Sequence, residues 1–139
     1  MQKKIKLMWA DANSVLWELT TEKEVSHKIP VLSETLKTRI DVWKGQYKKI
    51  YKIWLDHDQN GGLFDFKSQL NSDGTIICRD IEKVLGDVRC YYWFDIDRSQ
   101  DDKKEFIWLQ CPLCNSQLLK TGLNNINRAI CEHCRLVFP

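Results

Sequence analysis

Hydrophobic and polar positions change period several times along this chain, and each change marks an element. Ile5, Leu7 and Trp9 are spaced two apart, as on a strand with one buried face. Val15 to Thr20 (VLWELT) predicts a second strand, joined to the first through Asp11-Ala12-Asn13-Ser14 as an antiparallel hairpin. Pro30 and Ser33 then mark a helix start, with Ser33 as N-cap and Glu34 favourably placed against the helix dipole. Leu36, Ile40, Trp43, Tyr47, Ile50 and Trp54 follow at intervals of 4, 3, 4, 3 and 4, a single apolar stripe. Lys37, Lys44, Lys48, Lys49 and Lys52 fall mostly off it. They read as a solvated face, or as a phosphate-binding one centred on Lys48, Lys49, Lys52 and Tyr51.

Beyond the helix, Asp56-His57-Asp58-Gln59-Asn60-Gly61-Gly62-Leu63 matches the first part of an EF-hand calcium loop. Its twelfth position, where a bidentate Glu is required, is Lys67, so a glycine-rich exposed turn is the better reading. His57 and His27 then read as surface histidines. Asp73-Gly74-Thr75 leads into a second helix carrying Ile77, Ile81, Val84 and Leu85 on one face, with Gly86 as its stop. Arg89 to Asp97 (RCYYWFDID) predicts a strand with Cys90, Tyr92, Phe94 and Ile96 on one face and Tyr91, Trp93, Asp95 and Asp97 on the other. After a charged turn over Ser99 to Lys104, Glu105 to Leu109 predicts a further strand running straight into Cys111.

From Cys111 onward the chemistry is more specific than the pattern. Cys111-Pro112-Leu113-Cys114 and Cys131-Glu132-His133-Cys134 are two knuckles separated by sixteen residues. Each knuckle can present two sulfurs on one side of a tight turn, and two facing knuckles give the four thiolates that Zn²⁺ prefers. Gln117 to Lys120 and Arg128 to Ile130 predict short strands between them, with Gly122 and Asn124-Asn125 in the turn. Cys111, Cys114, Cys131 and Cys134 are therefore the expected ligands of one structural Zn²⁺, with no coordination position open for water or substrate. His133 is a poorer candidate because Cys131 and Cys134 complete the pair. Four thiolates would leave a charge of minus two on the site, which knuckle N–H groups and Lys120, Arg128 or Arg135 can offset. In a segment this short the metal takes the place of a core.

Composition fixes the setting. An apolar content of 43% with six Trp is enough for a packed core. The fold expected is α+β, a small mixed or antiparallel sheet with two helices plus the Cys₄ zinc ribbon. The α+β domain spans 1–105, and the ribbon, 106–139, packs on it without a flexible linker. No stretch has the length of a signal or membrane segment, which predicts a cytoplasmic protein with reduced thiols and favours zinc over disulfides. Cys78 and Cys90 are then buried, free cysteines. The net charge of +2 conceals a segregation. Residues 1–54 carry eleven Lys and Arg against six Asp and Glu, residues 55–106 seven against twelve, and residues 107–139 three against one. A strongly basic nucleic-acid binder is not what this describes.

The pieces Trp9-Ala10-Asp11 with Leu16-Trp17, Pro30-Val31-Leu32-Ser33 with Leu36, Arg39-Ile40 and Trp43, and Leu85-Gly86-Asp87 with Tyr92 and Phe94-Asp95 resemble a group of small bacterial proteins. Some of that group are of the immunity-protein class that accompanies polymorphic toxins. The resemblance covers about residues 5–96 and departs at Val31 and at the ribbon. It implies an α/β arrangement, and bears on fold more than on function. No Ser-His-Asp order, phosphate-cradling loop or open metal site appears, so no enzyme is expected. The expected function is a non-enzymatic protein that occludes a protein partner, in its specific form a toxin such as a nuclease. Asp95, Asp97, Asp101 and Asp102 beside Tyr91 and Trp93 would face a basic partner. The alternative is nucleic-acid binding through Lys120, Arg128 and Arg135 with the helix lysines; no membrane association is expected.

Overall fold

The computed structural model describes residues 3–10, 14–25, 32–57, 61–94, 110–123 and 126–138. Among them are seven strands: β1 (Lys3–Leu7), β2 (Leu16–Glu18), β3 (Glu24–Val25), β4 (Val88–Trp93), β5 (Leu119–Leu123), β6 (Ile126–Cys131) and β7 (Leu136–Phe138). They form one mixed sheet in the order β3-β2-β1-β4-β7-β6-β5. β4 is central, parallel to β1 on one side and to β7 on the other; the remaining pairs are antiparallel. The ribbon strands thus continue the sheet that the N-terminal hairpin begins. The joint is made by Tyr92 N–H donating to the Arg135 carbonyl at 2.7 Å and Phe94 N–H to that of Val137 at 3.0 Å.

Two helices, α1 (Glu34–His57) and α2 (Gln69–Leu85), bury their stripes in one core with alternate sheet residues. Leu36, Ile40, Trp43 and Tyr47 of α1 meet Leu70, Ile77 and Ile81 of α2 and Ile5, Leu7, Cys90, Tyr92 and Phe138 of the sheet. The alternation predicted along β4 is present: Cys90, Tyr92 and Phe94 join the helices, whereas Tyr91 and Trp93 pack with Leu19, Ile130 and Val137 in a second cluster. Ser33 caps α1 as expected, its hydroxyl accepting from Leu36 N–H at 3.1 Å. No described helix is long and apolar enough to cross a membrane.

Several boundaries move for identifiable reasons. β1 ends at Leu7, and Trp9 stands beyond it because its ring stacks on Tyr47 at 5.7 Å and meets Tyr51 at 4.8 Å. α1 runs through His57, so Asp56 and His57 are helical rather than loop residues. The Gly-rich turn beyond them has Gly61 and Gly62 at φ 56° and 88°, with Asp65 accepting from Lys67 N–H at 2.9 Å; residues 58–60 of the calcium-like stretch lie outside the described residues. α2 begins at Gln69, capped by Ser68, not after Gly74. Its buried Asn71 ties the turn to the sheet. The amide donates to the carbonyls of Leu63 (3.1 Å) and Asp65 (2.7 Å), and Oδ1 accepts from Tyr92 Oη at 2.6 Å. The strand predicted over Glu105 to Leu109, the turn over Ser99 to Lys104, and Asn124-Asn125 lie outside the described residues.

Candidate metal centre

Each knuckle is a tight turn closed by backbone pairing. In the first, Gln110 bridges Gln117, Cys111 N–H donates to the Ser116 carbonyl at 2.9 Å, and Asn115 N–H to that of Cys111 at 2.9 Å. The second closes the β6–β7 hairpin, with Cys131 opposite Leu136 and Cys134 N–H donating to Cys131 Sγ at 3.3 Å. In both, the residue after the second cysteine is left-handed: Asn115 at φ 61° and Arg135 at φ 55°. Asn tolerates this; Arg does so at a cost of about 1–2 kcal/mol. Contacts hold Arg135 there. Its guanidinium donates to Glu82 at 2.9 Å and to the carbonyl and carboxylate of Glu132, and lies over the Tyr91 ring.

The four sulfurs of Cys111, Cys114, Cys131 and Cys134 lie within 4.8 Å of one another, with Cys111–Cys134 at 4.0 Å and Cys114–Cys131 at 3.5 Å. Metal–sulfur bonds of about 2.3 Å in a tetrahedron require sulfur–sulfur edges of about 3.8 Å, so the cluster could hold a metal ion. All four cysteines are free thiols. Burial pushes the Cys131 and Cys134 thiols up, whereas hydrogen bonds from Ser116 bring Cys114 down to about 6. Uncompensated, four adjoining thiolates would repel; a cation between them removes that conflict. His133 is exposed and contributes no donor to the cluster. No protein-family model and no curated protein matches the chain.

The second knuckle also carries the only acidic residue of the segment 107–139, Glu132, and this is the residue that sequence reasoning missed. It accepts from Tyr91 Oη at 2.7 Å and Arg89 at 2.8 Å, and pairs with Lys4 at 3.5 Å. Burial would raise its carboxyl, but the Tyr91 hydroxyl and the charges of Lys4, Arg89 and Arg135 outweigh it and hold the group below the usual carboxylate range. A second ion-pair centre lies on β1. Lys6, fully buried, donates to Glu22 at 2.6 Å, and Arg128 shares that carboxylate at 3.2 Å. A lone carboxylate in a basic ribbon was the available signal for Glu132; nothing in a strand reading KKIKL marks Lys6 as buried. Glu132→Gln is expected to lower stability by about 1–2 kcal/mol in a denaturant titration, because it takes the counter-charge from Arg89 and Lys4 and one of two from Arg135 while keeping the shape.

These ion pairs relocate several expected site residues. Tyr91, anticipated on a partner-facing surface, is buried with its hydroxyl committed to Glu132, so it is not a surface anchor. Trp93 is half-buried, with Lys6 and Arg128 over its ring at 4.7 and 5.1 Å. Asp95, Asp97, Asp101 and Asp102 lie outside the described residues. Of the basic ribbon residues, Arg128 and Arg135 are engaged by Glu22, Glu82 and Glu132, and Lys120 is exposed. The three do not form a free cationic patch. Cys78 and Cys90 are buried away from the cluster, and burial together with Cys90 pushes the Cys78 thiol well up, as suits an inert core cysteine.

Proposed function

We propose that this is a non-catalytic binding protein whose C-terminal ribbon is locked to its sheet by one structural Zn²⁺. The observation that carries the reading is the closed set of four thiols sitting one residue from the strand that pairs with β4. An all-cysteine donor set favours zinc and leaves no position for a reacting water, which supports a structural role. The partner is a protein, and the specific form we favour is an immunity protein that neutralises a toxin by occlusion, in keeping with the resemblance of residues 5–96. The recognition surface would be Trp93 with the aspartates that follow it in sequence, Asp95, Asp97, Asp101 and Asp102. Carboxylates there would steer a basic partner such as a nuclease and set its selectivity, while the aromatic supplies contact area. The nucleic-acid reading through the ribbon is weaker, because its two arginines are already paired.

Native mass spectrometry of the protein purified from its own host tests both parts. One zinc and a stoichiometric basic protein are expected. Charge reversal of the four aspartates should weaken that complex at least about tenfold; a complex that survives it unchanged would exclude this surface.

A further inference from the structure

An open pocket of about 580 Å³ lies where the carboxyl ends of β1 and β4 meet α1. Because β1 and β4 are parallel, their carboxyl ends emerge together. Trp9 stands two residues past the end of β1 and Trp93 is the last residue of β4, and both line the pocket. The carboxyl ends of adjacent parallel strands are where open sheets commonly form ligand crevices. The third wall is a stripe of α1. Lys48, Tyr51, Lys52 and Leu55 recur at helical spacing and all face the cavity.

The lining combines fixed rings with unengaged cations. Trp9 is braced by stacking on buried Tyr47 and lies 4.8 Å from Tyr51, whose ring is tilted to it by 43°. Trp93 is held beneath Lys6 and Arg128. These rings are set before any ligand arrives. Lys48 and Lys52 are exposed and, among the described residues, take part in no ion pair, and no carboxylate of the described residues lines the cavity. A ligand matching this wall has a planar ring to lie against the aromatics and an anionic group a few ångströms away for the ammonium groups. The volume lies in the range of sites for molecules of nucleotide size.

We propose that this pocket binds a nucleotide, its base against Trp9 and Tyr51 and its phosphate on Lys48 and Lys52. The same chemistry would be offered by a free nucleotide or by one unit of a single strand. The pocket shares Trp93 with the partner surface proposed above, but its ligand chemistry, carried by Trp9, Tyr51, Lys48 and Lys52, does not depend on that reading.

Calorimetric titration of the full chain tests the proposal with AMP, UMP, adenosine, inorganic phosphate and a short oligoadenylate. Saturable binding of at least one of the two monophosphates is expected, about tenfold or more tighter than adenosine or phosphate alone. The indole NMR signals of Trp9 and Trp93, assigned with Trp9→Phe and Trp93→Phe, should shift on binding. The double variant Lys48→Glu/Lys52→Glu changes two exposed positions and should weaken monophosphate binding about tenfold or more, while Tyr51→Leu should weaken adenosine as well. A strand that binds far more tightly than AMP, with a steep salt dependence, identifies single-stranded nucleic acid as the source. Equal affinities identify the free nucleotide. Absence of saturable binding by both monophosphates and the strand, phosphate binding as tightly as the nucleotides, or indifference to the lysine variants would overturn the proposal.

Discussion

Removing the metal with a chelator, or replacing Cys131 with serine, is expected to melt the ribbon and loosen the central sheet with it. Among the described residues, the segment after Cys111 buries few apolar side chains of its own, chiefly Leu118, Ile130, Leu136, Val137 and Phe138. Structural zinc sites supply an apparent binding energy of about 10–16 kcal/mol in small ribbons, and most of it is folding energy. The loss should not stay local. β7 begins two residues after Cys134 and pairs directly with β4, so Phe138 and Leu136 leave the main core when the knuckle opens. The expected result is a fall in melting temperature of more than about 10 °C, with one zinc per chain lost by elemental analysis. Acid should do the same. The ligand thiols bind metal only when deprotonated, and burial pushes those of Cys131 and Cys134 up, so protons compete for the site increasingly as pH falls. Cys78→Ala is the control: it removes a buried thiol outside the cluster and should leave the zinc content unchanged. A Cys131→Ser protein that keeps both its metal and its melting temperature would exclude the structural-zinc reading.

What the sequence discloses and what it hides follow from the physics of each signal. The four cysteines were legible because metal geometry constrains spacing locally, within four residues per knuckle. The stripe of α1 and the alternation along β4 were legible because burial on one face imposes a period. Strands β3 and β7 were not. Two or three residues hold no period, and they exist because a neighbouring strand offers hydrogen bonds. The ion-pair centres at Glu132 and Glu22 were hidden for a related reason. They join residues 41 and 43 positions apart to Glu132, and 16 and 106 apart to Glu22, and no local rule brings such groups together. Tyr91 was misplaced by the same omission. It alternates onto one strand face with Trp93, Asp95 and Asp97, which made it a partner-facing candidate, but Glu132 and Arg135 of the ribbon enclose it.

Gly74 is the most instructive misreading, and it yields the second large prediction. Asp73-Gly74-Thr75 reads as the lead into a helix, because glycine is costly inside one and aspartate favours helix starts. In the fold it sits mid-helix, where a Cβ would lie 2.0 Å from Cε1 of Tyr92 and 2.7 Å from both Cδ1 and Cζ. Two effects of opposite sign therefore meet in Gly74→Ala. Helix propensity favours alanine by about 1 kcal/mol. Overpacking opposes it, and overpacked cores typically lose about 1–3 kcal/mol, occasionally more. The ring has little room to yield: its hydroxyl is bound to buried Asn71, and its edge meets Trp43 at 5.9 Å. A contact so far inside van der Waals distance belongs at the upper end of that range, so overpacking wins. Gly74→Ala should be destabilised by about 2 kcal/mol, a fall of roughly 5–8 °C in melting temperature. If the ring is the cause, Tyr92→Leu should relieve the substitution. The double variant Gly74→Ala/Tyr92→Leu would then be more stable than the sum of the two single effects, by about 1 kcal/mol or more. Additive behaviour in that cycle would show that the helix, and not the close approach of Tyr92, sets the requirement for glycine.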